Sequence, residues 1–357
     1  MVIMQNYVMQ REDLNQLIDR ALANYDVYGP VFKKGIHVYD KISDPESLDL
    51  DYGQTMTSAK KFFNPPVENM MTFDFEEKRV KDKLEDTIPN EQSLIVGLHA
   101  CDINGLLFLD RVYGGEYEDL YYKKRREKTT IIGLNCLEPC ENGFCRSINT
   151  HIVLEGYDLF LTPLDGEKYY VNVGSPKGDH LITLAPDLFQ EATKEDVDAF
   201  RKALQKKHKS LPVEFHLDNL TETLDVAWDD PIWEEIGEDC MNCGSCALVC
   251  PTCYCFDVAD EVGLDLKEST RKRKWDTCLY YDFALVAGNH NFREEPEARL
   301  KYRFYHKMRG AVHDQGMIAC TGCGRCIDAC PAGISFLDVL SRLQKNWASV
   351  PAIEGGN

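Results

Sequence analysis

The sequence predicts two domains of different class, an α/β domain over residues 1–225 that contains a βαβ unit and an all-helical domain over residues 226–357. Three observations carry this. Two continuous apolar runs, SLIVGLHA and TTIIGLNC, flank a helical segment. Near residue 225 such runs give way to cysteine-bearing loops. Two cysteine stretches, CMNCGSCALVCP at 240–251 and CTGCGRCIDACP at 320–331, repeat one spacing, with helical patterns between and after them.

Taken in order, REDLNQLIDRALAN at 11–24 places its apolar residues at helical spacing. After a stretch punctuated by proline and charge, SLIVGLHA reads as a buried strand. CDINGLLFLDRVYG follows, where Asp102 caps a helix over 103–113 and Gly114 and Gly115 end it. TTIIGLNC is the second strand, parallel to the first because a helix connects them. Both strands finish at one edge of the sheet, so Cys101 and Cys136 are expected to lie close together. YDLFLTPLDGEKYYVNV reads as a hairpin turning at Asp165 and Gly166, and a polar helix over 194–208 begins at Thr193. In the second domain EEPEARLKYRFYHKM and ISFLDVLSRLQKNW read as helices.

Composition excludes several classes. A net charge of −19 is the wrong sign for a phosphate-reading surface, so no nucleic-acid partner is expected. The basic runs KKRREK at 123–128 and RKRK at 271–274 read as solvated faces of helices or loops, the alternative being docking patches for an acidic partner. The amino terminus lacks the pattern of a secretory signal, and no window has the length of a membrane span. A cytoplasmic location is therefore expected, where fifteen cysteines read as metal or redox ligands rather than as a disulfide framework.

Each cysteine stretch has the form CxxCxxCxxxCP, the ligand run of two-cluster [4Fe-4S] proteins, in which the fourth thiolate serves the other cluster. On that rule Cys240, Cys243, Cys246 and Cys330 hold one cluster, and Cys320, Cys323, Cys326 and Cys250 hold the second. Zinc, the alternative, uses cysteine pairs with a longer gap between them. The second domain thus reads as a dicluster ferredoxin of the all-helical type, in which small residues such as Gly244, Ser245 and Gly324 admit backbone N–H groups to the sulfurs.

Cys101 with Cys136, Cys140 and Cys145 forms a second constellation, read as a third cluster; the other reading is a set of buried free cysteines packing as small hydrophobes. Cys253, Cys255 and Cys278 remain. They supply three ligands to a further cluster with a non-cysteine fourth, form a redox-active thiol site, or pack beside the second cluster, and packing or an unassigned redox role is the favoured reading. His99 and His290 read as structural. No GxGxxG follows a strand and no GxxxxGK[ST] is present, so no site for flavin, nicotinamide or nucleoside triphosphate is evident.

KKFFNP, HACDINGLLFLDRVY, YYKKRREKTTIIGLNC, CPTCYC, RKWDTC, AGNHNFR and CTGCGRCIDACP, in this order along nearly the whole chain, carry a family likeness. The chain resembles the iron–sulfur beta subunit of sulfhydrogenase-type cytoplasmic nickel–iron hydrogenases and, more distantly, the corresponding iron–sulfur component of anaerobic sulfite reductase. The resemblance implies an anaerobic oxidoreductase complex in which this chain relays electrons. One partner would bind FAD and NAD(P); the other would be the small and large nickel–iron hydrogenase subunits, or a sulfite or heterodisulfide reductase. Where the family pattern ends the 136–145 loop in Cys-Phe-Cys, this chain has Gly143, Phe144 and Cys145, with an additional thiol at Cys140. An enzymatic alternative makes the chain itself a sulfur- or polysulfide-reducing subunit reacting through Cys253, Cys255 and Cys278.

Overall fold

The computed structural model describes residues 6–88, 91–164 and 167–347. An eight-stranded mixed sheet organises the first half. Its strand order is Gln190–Glu191, Asn6–Gln10, Lys168–Val173, Leu159–Pro163, Thr129–Leu134, Gln92–Leu98, Tyr25–Lys33 and Ile36–Lys41. The strands Tyr25–Lys33, Gln92–Leu98, Thr129–Leu134 and Leu159–Pro163 run parallel, with Ser93 opposite Thr129 and Ile132 opposite Leu159. The expected βαβ unit is thus formed, and period-two alternation divides its side chains between two faces. Leu94, Val96, Ile132 and Leu159 pack under the helices Asp13–Ala21 and Pro176–Leu184. Ile95, Leu98, Ile131 and Phe160 pack under the helix Ala100–Tyr113. Burial on both faces explains why these strands read as unbroken apolar runs.

Local expectations fare unevenly. The helix Lys194–Ser210 begins at Thr193, whose hydroxyl accepts from the Asp196 N–H in a capping box. The helix after the first strand starts earlier than expected, at Ala100, with His99 as its N-cap. Asp102 stands inside the first turn, and its carboxylate is drawn away from the backbone by Arg325. Leu159–Pro163 and Lys168–Val173 pair antiparallel, while the expected turn at Asp165 and Gly166 lies outside the described residues.

The second domain is not all-helical. Between the cysteine stretches, Phe256–Val262 and Glu268–Trp275 form a hairpin, and Glu268–Trp275 pairs with Val67–Asp74, which pairs in turn with Arg79–Asp82. This four-stranded sheet joins residues on both sides of position 225. It is pinned by a buried carboxylate: Glu68 accepts from Arg273 Nε at 3.0 Å and pairs with Arg125, and Arg273 also pairs with Asp119. The basic runs are accordingly engaged within the chain. KKRREK lies on the helix Leu120–Lys128, with Arg126 on Asp110, and RKRK lies on a strand, with Arg271 on Asp260 and both Lys272 and Lys274 on Glu261.

Helices complete this half. Ile232–Asp239, Pro296–Tyr305 and Phe336–Asn346 enclose a core around Trp233, Phe304, Phe336 and Leu340, in which the Phe304 and Phe336 rings stack 4.3 Å apart. Among the described residues no helix is long and apolar enough to cross a membrane.

Candidate metal centre

The two cysteine stretches fold alike. Each runs through a glycine in the left-handed region, Gly244 at φ 75° and Gly324 at φ 83°, into a four-residue helix, Ser245–Leu248 or Arg325–Asp328. Each of these two turns releases its fourth cysteine at the end of the helix. One cavity is lined by Cys240, Cys243, Cys246 and Cys330, together with Cys326. A second is lined by Cys250, Cys320, Cys323 and Cys326. Each wall thus carries the first three cysteines of one stretch and the fourth of the other, with Cys326 on both walls. Among the described residues no three ligating side chains converge closely enough to share a single ion. A cubane holds its thiolates around a larger body, so the cavity wall is the relevant geometry.

The donor chemistry fits such a group. Gly322 N–H donates to Cys320 Sγ and Ile334 N–H to Cys330 Sγ, both at 3.3 Å. Burial pushes the Cys320 thiol up to about 12 and raises Cys246 and Cys326 as well. Thiols in such a place stay protonated until metal displaces the proton. Cys250 is drawn well down by the Cys253 thiol beside it, with Lys307 and Arg303 adding to the effect. Solvent access differs between the groups, with Cys243 exposed and Cys250 and Cys323 buried.

Cys101, Cys136, Cys140 and Cys145 also come together. Cys101 lies in the first turn of its helix and Cys136 follows the end of Thr129–Leu134, at the common strand edge. Cys136 interacts electrostatically with each of the other three. Burial pushes Cys140 up to about 12 and Cys145 up to about 11. The loop bearing them rests on the second ferredoxin stretch: Phe144 N–H donates to Gly322 O at 2.7 Å, and a Cβ on Gly322 would stand 2.7 Å from Cys145 Cα. A side chain at 322 or 324 would part the two loops.

Four buried cations are the residues that sequence reading missed. Arg325, 2% exposed, donates to Asp102 Oδ2 at 2.8 Å and to Thr55 O, between Cys323 and Cys101. Lys307 donates to Thr252 Oγ1 and Ala319 O, and Arg303 to Cys246 O. Lys60 donates to Cys253 O at 2.9 Å. Only Arg325 left a signal, standing in CGRC where the other stretch has CGSC.

Cys253, Cys255 and Cys278 line a third cavity, with His306. His99 is buried and stacks on Tyr52 at 4.3 Å, whereas His290 is exposed on a short strand.

Two interleaved thiol sets on a repeated glycine turn define an iron–sulfur protein of the dicluster class, and residues 239–334 match the 4Fe-4S dicluster domain family. Over 320 residues the chain is 34% identical to the sulfhydrogenase 2 subunit beta of Pyrococcus furiosus, covering 89% of this chain and 92% of that protein. The chain belongs to the family of sulfhydrogenase beta subunits.

Proposed function

We propose that the chain is the electron-relay subunit of a multisubunit hydrogenase-type oxidoreductase, passing electrons between nickel–iron catalytic subunits and a partner that binds flavin and NAD(P). The observation that carries this reading is the arrangement of the thiols. The set of Cys240, Cys243, Cys246 and Cys330 shares Cys326 on its wall with the set of Cys320, Cys323, Cys326 and Cys250. The latter lies against the loop of Cys136, Cys140 and Cys145. One end of this series opens to solvent at Cys243 and the neighbouring Met241, which is 68% exposed.

Iron–sulfur clusters in these sets supply one-electron exchange. The chain's own part is to hold the thiols, exclude water and place cations. Arg325 sits between Cys323 and Cys101, and Arg303 and Lys307 sit by Cys246 and Cys250. Buried positive charge stabilises a site that gains an electron. The proposal takes Cys101, Cys136, Cys140 and Cys145 as the ligands of a third cluster, Cys140 replacing the thiol that the family pattern has at 143.

The reading is tested by Cys243→Ala in the assembled complex. Transfer from NAD(P)H to the catalytic centre should fall at least tenfold, while each partner keeps its activity with artificial dyes. Retained transfer would overturn it. The sulfur-reducing alternative gains nothing from the geometry, since burial raises Cys278 and pushes Cys255 up to about 11 where a reacting thiol needs exposure and a low pKa.

A further inference from the structure

The third cavity belongs to neither ferredoxin stretch. The space between its walls, open solvent included, is about 300 Å³, beside about 310 Å³ for that of Cys250, Cys320, Cys323 and Cys326. Three of its lining residues are cysteines, and the fold positions each of them for a stated reason. Cys253 and Cys255 are two residues apart in the extended run that enters the hairpin strand Phe256–Val262. The hairpin root is closed by Phe256 opposite Trp275 and by the Asp276 N–H donating to Cys255 O at 3.0 Å, which brings Cys278 back beside Cys255. The wall also carries one imidazole, His306, whose ring is held by Tyr254 Oη 3.3 Å from Nε2.

His306 opens the π turn His306–Gly310, a single departure from α-helical spacing of the kind found at functional sites. His306 and Lys307, its first two residues, both stand on this cavity wall. Cationic groups gather here as they do around the ferredoxin sets: Arg303 Nη1 lies 3.5 Å from Cys253 Sγ, and Lys60 is bound to the Cys253 carbonyl. Among the described residues no carboxylate pairs with Lys60, Arg303 or Lys307; they donate to the carbonyls of Cys253, Cys246 and Ala319 and to Thr252 Oγ1, which leaves the thiols as the acidic groups nearest these three buried cations.

We propose that this cavity binds a fourth [4Fe-4S] cluster, held by Cys253, Cys255 and Cys278 with His306 completing the set. It lies beside the ferredoxin set, since Cys253 adjoins Cys250. Histidine ligation raises the potential of an iron–sulfur centre relative to an all-thiolate one, so this site is a sink for electrons within the relay. The proposal uses the relay reading only for its role, because the site itself rests on the cavity.

The test compares anaerobically purified full-length chain with its Cys255→Ser/Cys278→Ser variant. About four irons and four labile sulfides per chain should be lost, as one cubane requires, with the EPR signals of the ferredoxin pair unchanged. The difference between the two proteins is the readout, so it does not depend on whether Cys101 and its neighbours are ligands. A variant that keeps all the wild-type iron overturns the proposal. Should the variant not fold, wild-type chain labelled with ¹⁵N-histidine decides: a histidine nitrogen hyperfine coupling on a reduced cluster is expected, and its absence from every reduced cluster overturns the proposal.

Discussion

Arg325 stands where Ser245 stands in the other ferredoxin stretch, and the Arg325 and Asp102 side chains are 2% and 1% exposed. Removing one member of such a pair strands the other without water, so Arg325→Met is expected to lower unfolding free energy by ~3–5 kcal/mol. Adding Asp102→Asn should restore most of it, as read from urea midpoints. Lys307→Met removes a buried charge together with its hydrogen bonds to Thr252 Oγ1 and Ala319 O, and the charge is read by the potential. A unit charge about 8 Å away at an effective dielectric near 20 is worth about 2 kcal/mol, so the potential of the neighbouring centre should drop by on the order of 80 mV in an EPR-monitored titration. His151 gives a pH dependence. Burial lowers it to about 4, with Lys207 and His208 adding to the effect, so between pH 6.5 and 4 the unfolded chain binds a proton that the native chain refuses. Stability is complete above pH 6.5 and falls as pH drops through that window, by on the order of 2 kcal/mol, and His151→Gln should flatten the fall. The thiols were legible in the sequence because ligand chemistry is written in residue type and spacing. The cations were not, because Lys60 and Cys253 meet across nearly two hundred residues of chain and nothing near either residue announces the other.

At the scale of elements, the βαβ unit was legible because its strands are buried on both faces and its connection is short. The four-stranded sheet was hidden. Val67–Asp74 is neither uniformly apolar nor cleanly alternating, and it finds its partner in Glu268–Trp275 after the rest of the first domain has intervened. A helical reading of the interval between the cysteine stretches followed from its strongest local pattern, Pro296–Tyr305, and missed the hairpin upstream of it. The pin of that sheet is Glu68. Glu68→Gln leaves Arg125 and Arg273 without their shared counter-charge, and a loss of ~3–5 kcal/mol in unfolding free energy is expected with iron content unchanged. The contact between loops is tested by Gly322→Val. At φ 58° a β-branched residue is strained, and its Cβ would meet the Cys145 backbone. The variant should lose about four irons per chain, one cubane's worth, with the EPR signal of the Cys240, Cys243, Cys246 and Cys330 centre retained.

For the whole molecule, the two halves divided by sequence character are joined by the Glu268–Trp275 to Val67–Asp74 pairing, by Arg325 on Thr55 and Asp102, and by the Cys145 loop on Gly322. These joints place every thiol set beside another, which is what a relay requires and what a scaffold has no use for. Iron and acid-labile sulfide per chain, measured on anaerobically purified protein, test this most directly. The relay account predicts at least about twelve irons with equal sulfide, and about sixteen with the fourth cluster, four for each cubane. About eight irons, or zinc in place of iron with no labile sulfide, would contradict it.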